Sequence, residues 1–176
     1  NVKRGLVDSE YNTRREQCEQ AAKFYGVPAL RDISWQQFCN SKNELIEATS
    51  AEITNRAKHV ISENERTVQA SLALAANDIK TLSQLMAESH KSMQYDFEVT
   101  VPEIDYLVEL VNNTIGDKGG VRMTGGGFGG CVVALVPNDM TEQVKTLIAD
   151  NYQNKTGLVA DVFVCVASQG AEELSA

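Results

Sequence analysis

No run in this 176-residue chain approaches the ~20 consecutive apolar residues that a membrane-spanning helix requires. A secretory leader, with its charged, apolar and small-residue stretches in order, is not seen either. Positive charge is in deficit: 16 Lys and Arg stand against 24 Asp and Glu, for a net charge of −8. That balance argues against non-specific binding to nucleic acid or to an anionic membrane, although a local basic patch is compatible with it. Cysteine is sparse and scattered, at Cys18, Cys39, Cys131 and Cys165. None forms a CxxC pair and no histidine sits at ligand spacing from any of them, so neither a disulfide scaffold nor a metal site is indicated. Four reduced, mostly buried thiols in a cytoplasmic protein are the expectation. The N-x-T triplets at Asn112 and Asn154 then carry no meaning, because glycosylation needs a secretory route. Histidine is scarcest, with only His59 and His90, and neither stands in a nucleophile or triad signature. A hydrogen-bonded structural role suits His90 best.

Helical periodicity dominates what is present. The first eight residues alternate weakly, as a strand would. Thr13 with Glu16 then predicts a capping box, in which each side chain satisfies an orphan amide of the first turn. Cys18, Ala21, Ala22 and Tyr25 follow on one face, and Gly26 with Pro28 ends the helix. Ser34 with Gln37 repeats the device, with Trp35, Phe38 and Cys39 inward. Thr49 with Glu52 predicts a long helix whose face runs Ile53, Ala57, Val60, Ile61, Val68, Leu72, Ala75. Asn77 and Asp78 break it, and Asp78 caps a helix with the stripe Ile79, Leu82, Leu85, Met86, Met93. Thr100, Pro102 and Glu103 open another, which carries Ile104, Leu107, Val108, Val111 and Ile115 inward and stops at Gly116. Asp139 with Glu142 opens the last, bearing Val144, Leu147, Ile148 and Tyr152 and ended by Gly157.

Between these helices the segments "GVRMT" and "CVVALV" read as strands, and "VADVFVCVA" reads as a final, central one. The expected fold class is therefore α+β: a small antiparallel sheet with helices packed mainly on one face.

The two first strands flank "GGGFGG", residues 125–130, which hold five of the chain's 12 glycines. Glycine inside an element costs ~0.5–1 kcal/mol relative to alanine. Bare backbone lets amides approach an anion, and it equally permits a tight turn against a neighbouring segment. The pattern lacks the Gly-Lys-Ser/Thr of a Walker loop, and it precedes a strand instead of opening a helix as a dinucleotide fingerprint does. A second candidate is "SEYNTRREQC". Ser9, Glu10 and Tyr11 precede the predicted helix start, where a loop residue can reach a ligand. Arg14 and Arg15 fall in its first turn, where the dipole disfavours cations. They suit either an outside partner or local pairing with Glu10 and Glu19. Glu63, Glu65, Asp96 and Glu98 read as a solvated helix face and turn. No complete catalytic set is present.

"SEYNTRREQCE" and "RMTGGGFGGCVVAL", with "LMAESHKSMQYDFEVTVPEID" between them, resemble the galactokinases of the GHMP small-molecule kinase family. The resemblance runs from about Lys3 to Gly170. It implies an enzyme that moves the γ-phosphoryl group of MgATP to the C1 hydroxyl of galactose in a cleft between two lobes. It also implies that Gly125, Gly126, Gly127, Phe128, Gly129 and Gly130 match the family's third motif, beside the phosphates and the sugar. Tyr11 matches the tyrosine that contacts galactose. The N-terminal galactose signature, the phosphate loop, the magnesium ligands and the catalytic aspartate and arginine have no counterpart in this sequence. The chain, which opens on Asn1, therefore reads as a C-terminal part. Residues 1–12 would connect from an N-terminal lobe and residues 13–176 would form the domain. ATP and Mg²⁺ would be bound mainly by the other lobe, and the part alone would be inactive and prone to self-association. A sugar sensor and a free-standing binding module of the same fold are the alternatives.

Overall fold

A computed structural model of the chain describes residues 7–168 and Gly170. Among the described residues the fold has six α-helices and one two-stranded antiparallel sheet: α1 (Val7–Tyr25), α2 (Trp35–Ala48), α3 (Ala51–Ala75), α4 (Ile79–Tyr95), α5 (Pro102–Ile115), β1 (Gly120–Thr124), β2 (Cys131–Leu135) and α6 (Thr141–Thr156). The α+β class is as expected.

Several ends follow local chemistry. Ser34 and Gln37 form a reciprocal capping box at α2, and the Asp78 carboxylate accepts the Thr81 amide at the start of α4. Gly26 is left-handed at φ +68° after α1, and Val27 N–H returns to Ala22 O. Other predicted boxes fail. α1 starts at Val7, so Thr13 and Glu16 lie inside it. Its extra turn is tied down by an i,i+4 pair, Glu10 to Arg14 at 3.6 Å. Ser50, not Thr49, caps α3, because the Thr49 hydroxyl donates back to Leu45 O at the end of α2. Asp139 sits in a 3₁₀ turn, and no side chain caps α6. The strand expected at the N-terminus lies outside the described residues, except that Val7 and Asp8 are helical.

Two apolar clusters hold the molecule. One joins α1, α2 and the first half of α3 through Ala21, Ala22, Leu30, Phe38, Leu45, Ala57 and Ile61. The other joins α5, α6 and the sheet through Val108, Val111, Ile115, Val121, Met123, Ile148 and Tyr152. Strand register sets Met123 opposite Val132 and Gly120 opposite Leu135. Val121 and Met123 face the core, and α4 lies along the edge of β1. There the Met123 amide donates to His90 Nδ1 at 3.3 Å, so a side chain satisfies an edge amide that no strand reaches.

The expected third strand is not formed. Residues 158–168 make no ladder. Leu158 and Ala160 pack on the core, whereas Val162, Phe163, Val164 and Val166 are exposed. β-branched, apolar composition supplies propensity but no partner edge. Two further expectations also give way. Cys18 is half-buried and Cys39, Cys131 and Cys165 are exposed, although all four are free thiols. Val68 and Leu72 are exposed because the second half of α3 extends past its cluster, and Trp35 is also partly exposed.

Candidate functional site

The glycine loop is a tight turn built on positive-φ backbone. Gly125, Gly127, Gly129 and Gly130 all have positive φ, and so does Phe128 at +56°. For a non-glycine residue that conformation costs roughly 1–2 kcal/mol and needs outside support. Phe128 has two supports. Its amide donates to Val99 O at 2.6 Å, and its ring lies 5.8 Å from the guanidinium carbon of Arg14. Gly127 explains the density of glycine at this point. A Cβ there would stand 2.6 Å from Val99 Cβ and 2.7 Å from Val99 O, at a φ of +86°. Gly127 and Gly129 are buried, whereas Gly125 and Gly126 are exposed, so one end of the loop is packed and the other presents bare backbone.

Val99 closes a turn, residues 96–99, that two buried arginines hold. Arg14 Nε donates to Phe97 O at 2.7 Å and its NH2 group to Glu98 O at 3.2 Å. Arg56, 1% exposed, donates to Asp96 O at 2.6 Å, Gln17 Oε1 at 3.1 Å, Glu52 Oε1 at 3.0 Å and Glu98 Oε2 at 2.6 Å. Burial, and then the charge of Arg56, lower the pKa of Arg14. Asp96, whose side chain is largely buried, is thus a structural acceptor and not part of a solvated face, whereas Glu98 is exposed as expected and also accepts from Arg56. Arg14 is paired inside the chain, while Arg15 pairs with Glu19 on the surface at 2.8 Å. Only the tertiary structure reveals Arg56 as part of this arrangement; the one signal in the sequence is a cation within the apolar stripe of α3.

Tyr11 lies one turn before Arg14 on α1 and is 56% exposed, so its phenol is open to a ligand. Arg14 thereby links α1, which carries Tyr11, to Phe128 of the glycine loop. The histidines are engaged by other groups. His59 stacks on Phe97, and its Nδ1–H donates to Ser92 Oγ at 2.9 Å, whose hydroxyl donates to Asp96 Oδ2. The acid meets the serine and not the imidazole, so these three are no catalytic relay. Burial pushes the His59 pKa down to about 4. His90 accepts from Met123, which leaves its proton on Nε2, 3.2 Å from Asp105 Oδ1. Glu63 departs from the solvated reading too: it is half-buried, accepts from Arg66 at 2.5 Å and Ser89 at 2.6 Å, and is held below its ordinary pKa by those bonds against the cost of burial. Glu65 is exposed. A cavity of about 370 Å³ between α3, α4 and β1 is lined by residues that include Glu63, Arg66, Ser89 and Arg122, and neither Tyr11 nor the glycine loop lines it.

Residues 70–152 match the family described as GHMP kinases C terminal. A galactokinase of Mannheimia succiniciproducens is 57% identical over 169 residues, which is 96% of this chain and 44% of that protein. One of Haemophilus influenzae is 57% identical over 170 residues, 97% of this chain and 44% of its own length. The solved Lactococcus lactis galactokinase complexed with galactose superposes with a TM-score of 0.82 at 32% identity, over 90% of this chain and 41% of that one. The chain spans less than half the length of the curated relatives it matches. Residues 70–152 thus match the GHMP kinase C-terminal family model, in a chain that is similar over nearly its whole length to part of the galactokinases.

Proposed function

We propose that this chain is the C-terminal part of a galactokinase, a cytoplasmic enzyme that transfers the γ-phosphoryl group of MgATP to the C1 hydroxyl of galactose. The observation that carries the reading is the glycine loop itself. Its packed end rests on Val99 and its open end, Gly125 and Gly126, leaves bare backbone exposed, while Arg14, one turn along α1 from Tyr11, reaches Phe128 of the same loop. Phosphoryl transfer depends on positioning and charge stabilisation more than on covalent chemistry, and a rigid backbone loop suits that demand.

In this reading Tyr11 contacts the sugar, and Gly125 to Gly130 line the place where sugar and phosphates meet. An N-terminal lobe brings the magnesium ligands, most of the nucleotide site and the groups that act on the hydroxyl. Among the described residues no three His, Cys, Asp or Glu side chains are grouped so that they could hold a metal ion. Residues 1–12 lead in from that lobe and residues 13–176 are the domain, with α1 running unbroken across the boundary.

The test is ADP release with galactose and MgATP, by the chain alone and by the chain co-expressed with the N-terminal lobe of a close galactokinase. Silence alone, with turnover near the ~1–100 s⁻¹ usual for kinases once the lobe is supplied, supports the reading. Kinase-rate turnover by the chain alone overturns it.

A further inference from the structure

We propose that Arg14 is a positioning residue for the glycine loop, braced by Arg56 beneath the same turn. The geometry forms a chain of contacts. Arg14 on α1 and Arg56 on α3 together engage three successive carbonyls, Asp96 O, Phe97 O and Glu98 O. Lys58 adds a bond to Asp96 Oδ1 at 2.8 Å. These donors over-determine a turn in which Glu98 itself is left-handed at φ +53°, a conformation disfavoured for its side chain. The next residue, Val99, is the seat of the loop: its carbonyl takes the Phe128 amide, and Gly127 rests against it with no room for a Cβ. Arg14 then reaches Phe128 by a second path, over the ring.

Residue 14 thus meets the loop both through the turn and directly, although residue 128 is far away in sequence. Two buried guanidinium groups at one turn are costly to desolvate, and apolar packing would fill that space at less cost. What the cations add is direction: each aims fixed donors at carbonyls whose positions set where Gly127 and Phe128 sit. α1, the turn and the loop become one body, so the spacing between the Tyr11 end of α1 and the open backbone of Gly125 and Gly126 is fixed.

The placement of the loop stands on contacts alone; its consequence for turnover rests on the galactokinase reading. The experiment has an arm for each. In the 176-residue chain, amide exchange is followed by NMR for wild type, Arg14→Met, Arg14→Lys and Phe128→Leu. Arg14→Met speeds exchange at Phe128 about tenfold or more, as loss of charged hydrogen bonds implies, while the amides of Val108 and Val111 hold their rates. Arg14→Lys keeps a charged donor and falls between. Phe128→Leu, which spares the carbonyl bonds and so remains readable if Arg14→Met does not fold, gives a smaller acceleration confined to the loop. An unchanged Phe128 rate in Arg14→Lys and Phe128→Leu, or a rise shared equally with Val108 and Val111, overturns the proposal. In the two-lobed enzyme, Arg14→Lys lowers kcat about tenfold with a smaller change in the KM for ATP, the mark of misplacement and not of lost binding. An unaltered kcat overturns the catalytic consequence. If the wild-type enzyme does not phosphorylate galactose, the functional reading has failed and the exchange arm still decides the role of Arg14.

Discussion

Gly126 and Gly127 are adjacent, identical in chemistry and placed in opposite surroundings. Gly127 is buried against Val99 at positive φ, whereas Gly126 is exposed. Gly127→Ala therefore forces either the turn or the loop to move, and a loss on the order of 2 kcal/mol is expected in urea unfolding of the chain. Gly126→Ala meets no such wall. Its stability stays within ~0.5 kcal/mol of wild type, as surface changes usually do, while turnover of the two-lobed enzyme falls because a methyl now stands on the open backbone. Equal losses of stability in the two variants would show that the loop is only a hairpin. Tyr11 is exposed as well. On the proposed galactokinase reading, Tyr11→Phe removes one neutral hydrogen bond to the sugar, ~0.5–1.5 kcal/mol, so the KM for galactose rises several-fold and the unfolding midpoint does not move. An unchanged galactose KM assigns Tyr11 no part in binding.

The packing of α3 on α4 makes stability depend on pH. His59 projects from α3 toward Ser92 of α4, with Glu63, Arg66, Asp96 and Arg122 as its charged surroundings. Burial holds its pKa at about 4, below the ordinary 6.5, so the folded state takes up the proton later than the unfolded chain does. Stability is then complete above pH 6.5 and is lost as the pH falls toward 4. Glu63 is also depressed and adds a loss of the same sign at the acid end of that range. At ~1.4 kcal/mol per unit, the His59 contribution lost by pH 5 is on the order of 2 kcal/mol. Urea midpoints at pH 7.5 and 5.0 measure it, and His59→Gln, which retains a donor for Ser92, flattens the difference. A wild-type midpoint that is the same at both values shows that His59 is protonated without penalty.

The whole molecule exposes apolar surface that a stable monomer would cover. Val133 and Leu135 lie open on β2, and Phe163 and Val166 on the following segment are 84% and 81% exposed. Unpaired strand edges and apolar patches invite association. The chain alone is expected to self-associate at micromolar concentration, and Phe163→Asp with Val166→Lys should shift light scattering toward the monomer mass. A wild-type chain that stays monomeric at those concentrations refutes this, and with it the idea that a lobe normally covers this face.

Local chemistry wrote much of this fold into the sequence. The Ser34 box, the Asp78 cap and the stops at Gly26, Gly116 and Gly157 involve atoms a few residues apart, so short patterns carry them. The glycine loop between two strands was legible for the same reason, as was the kinship it signals. What local pattern could not decide was partnership at long range. Thr49 and Ser50 both suit a helix start, and only the path of the chain out of α2 assigned the cap to Ser50. The run from Val159 to Val166 has a strand's composition, yet a strand exists only where another edge accepts it. Arg14 suits an outside partner or a local pair, and Arg56 is only a cation within an apolar stripe, until the turn 96–99 is folded against them. Their bonds span about 40 to 84 residues, and hydrophobic periodicity has no term for a buried charge whose partners are distant carbonyls. The sequence thus determined the loop and the helices. Tertiary packing alone determined what holds the loop still, because that restraint is made of contacts between segments that are neighbours only in space.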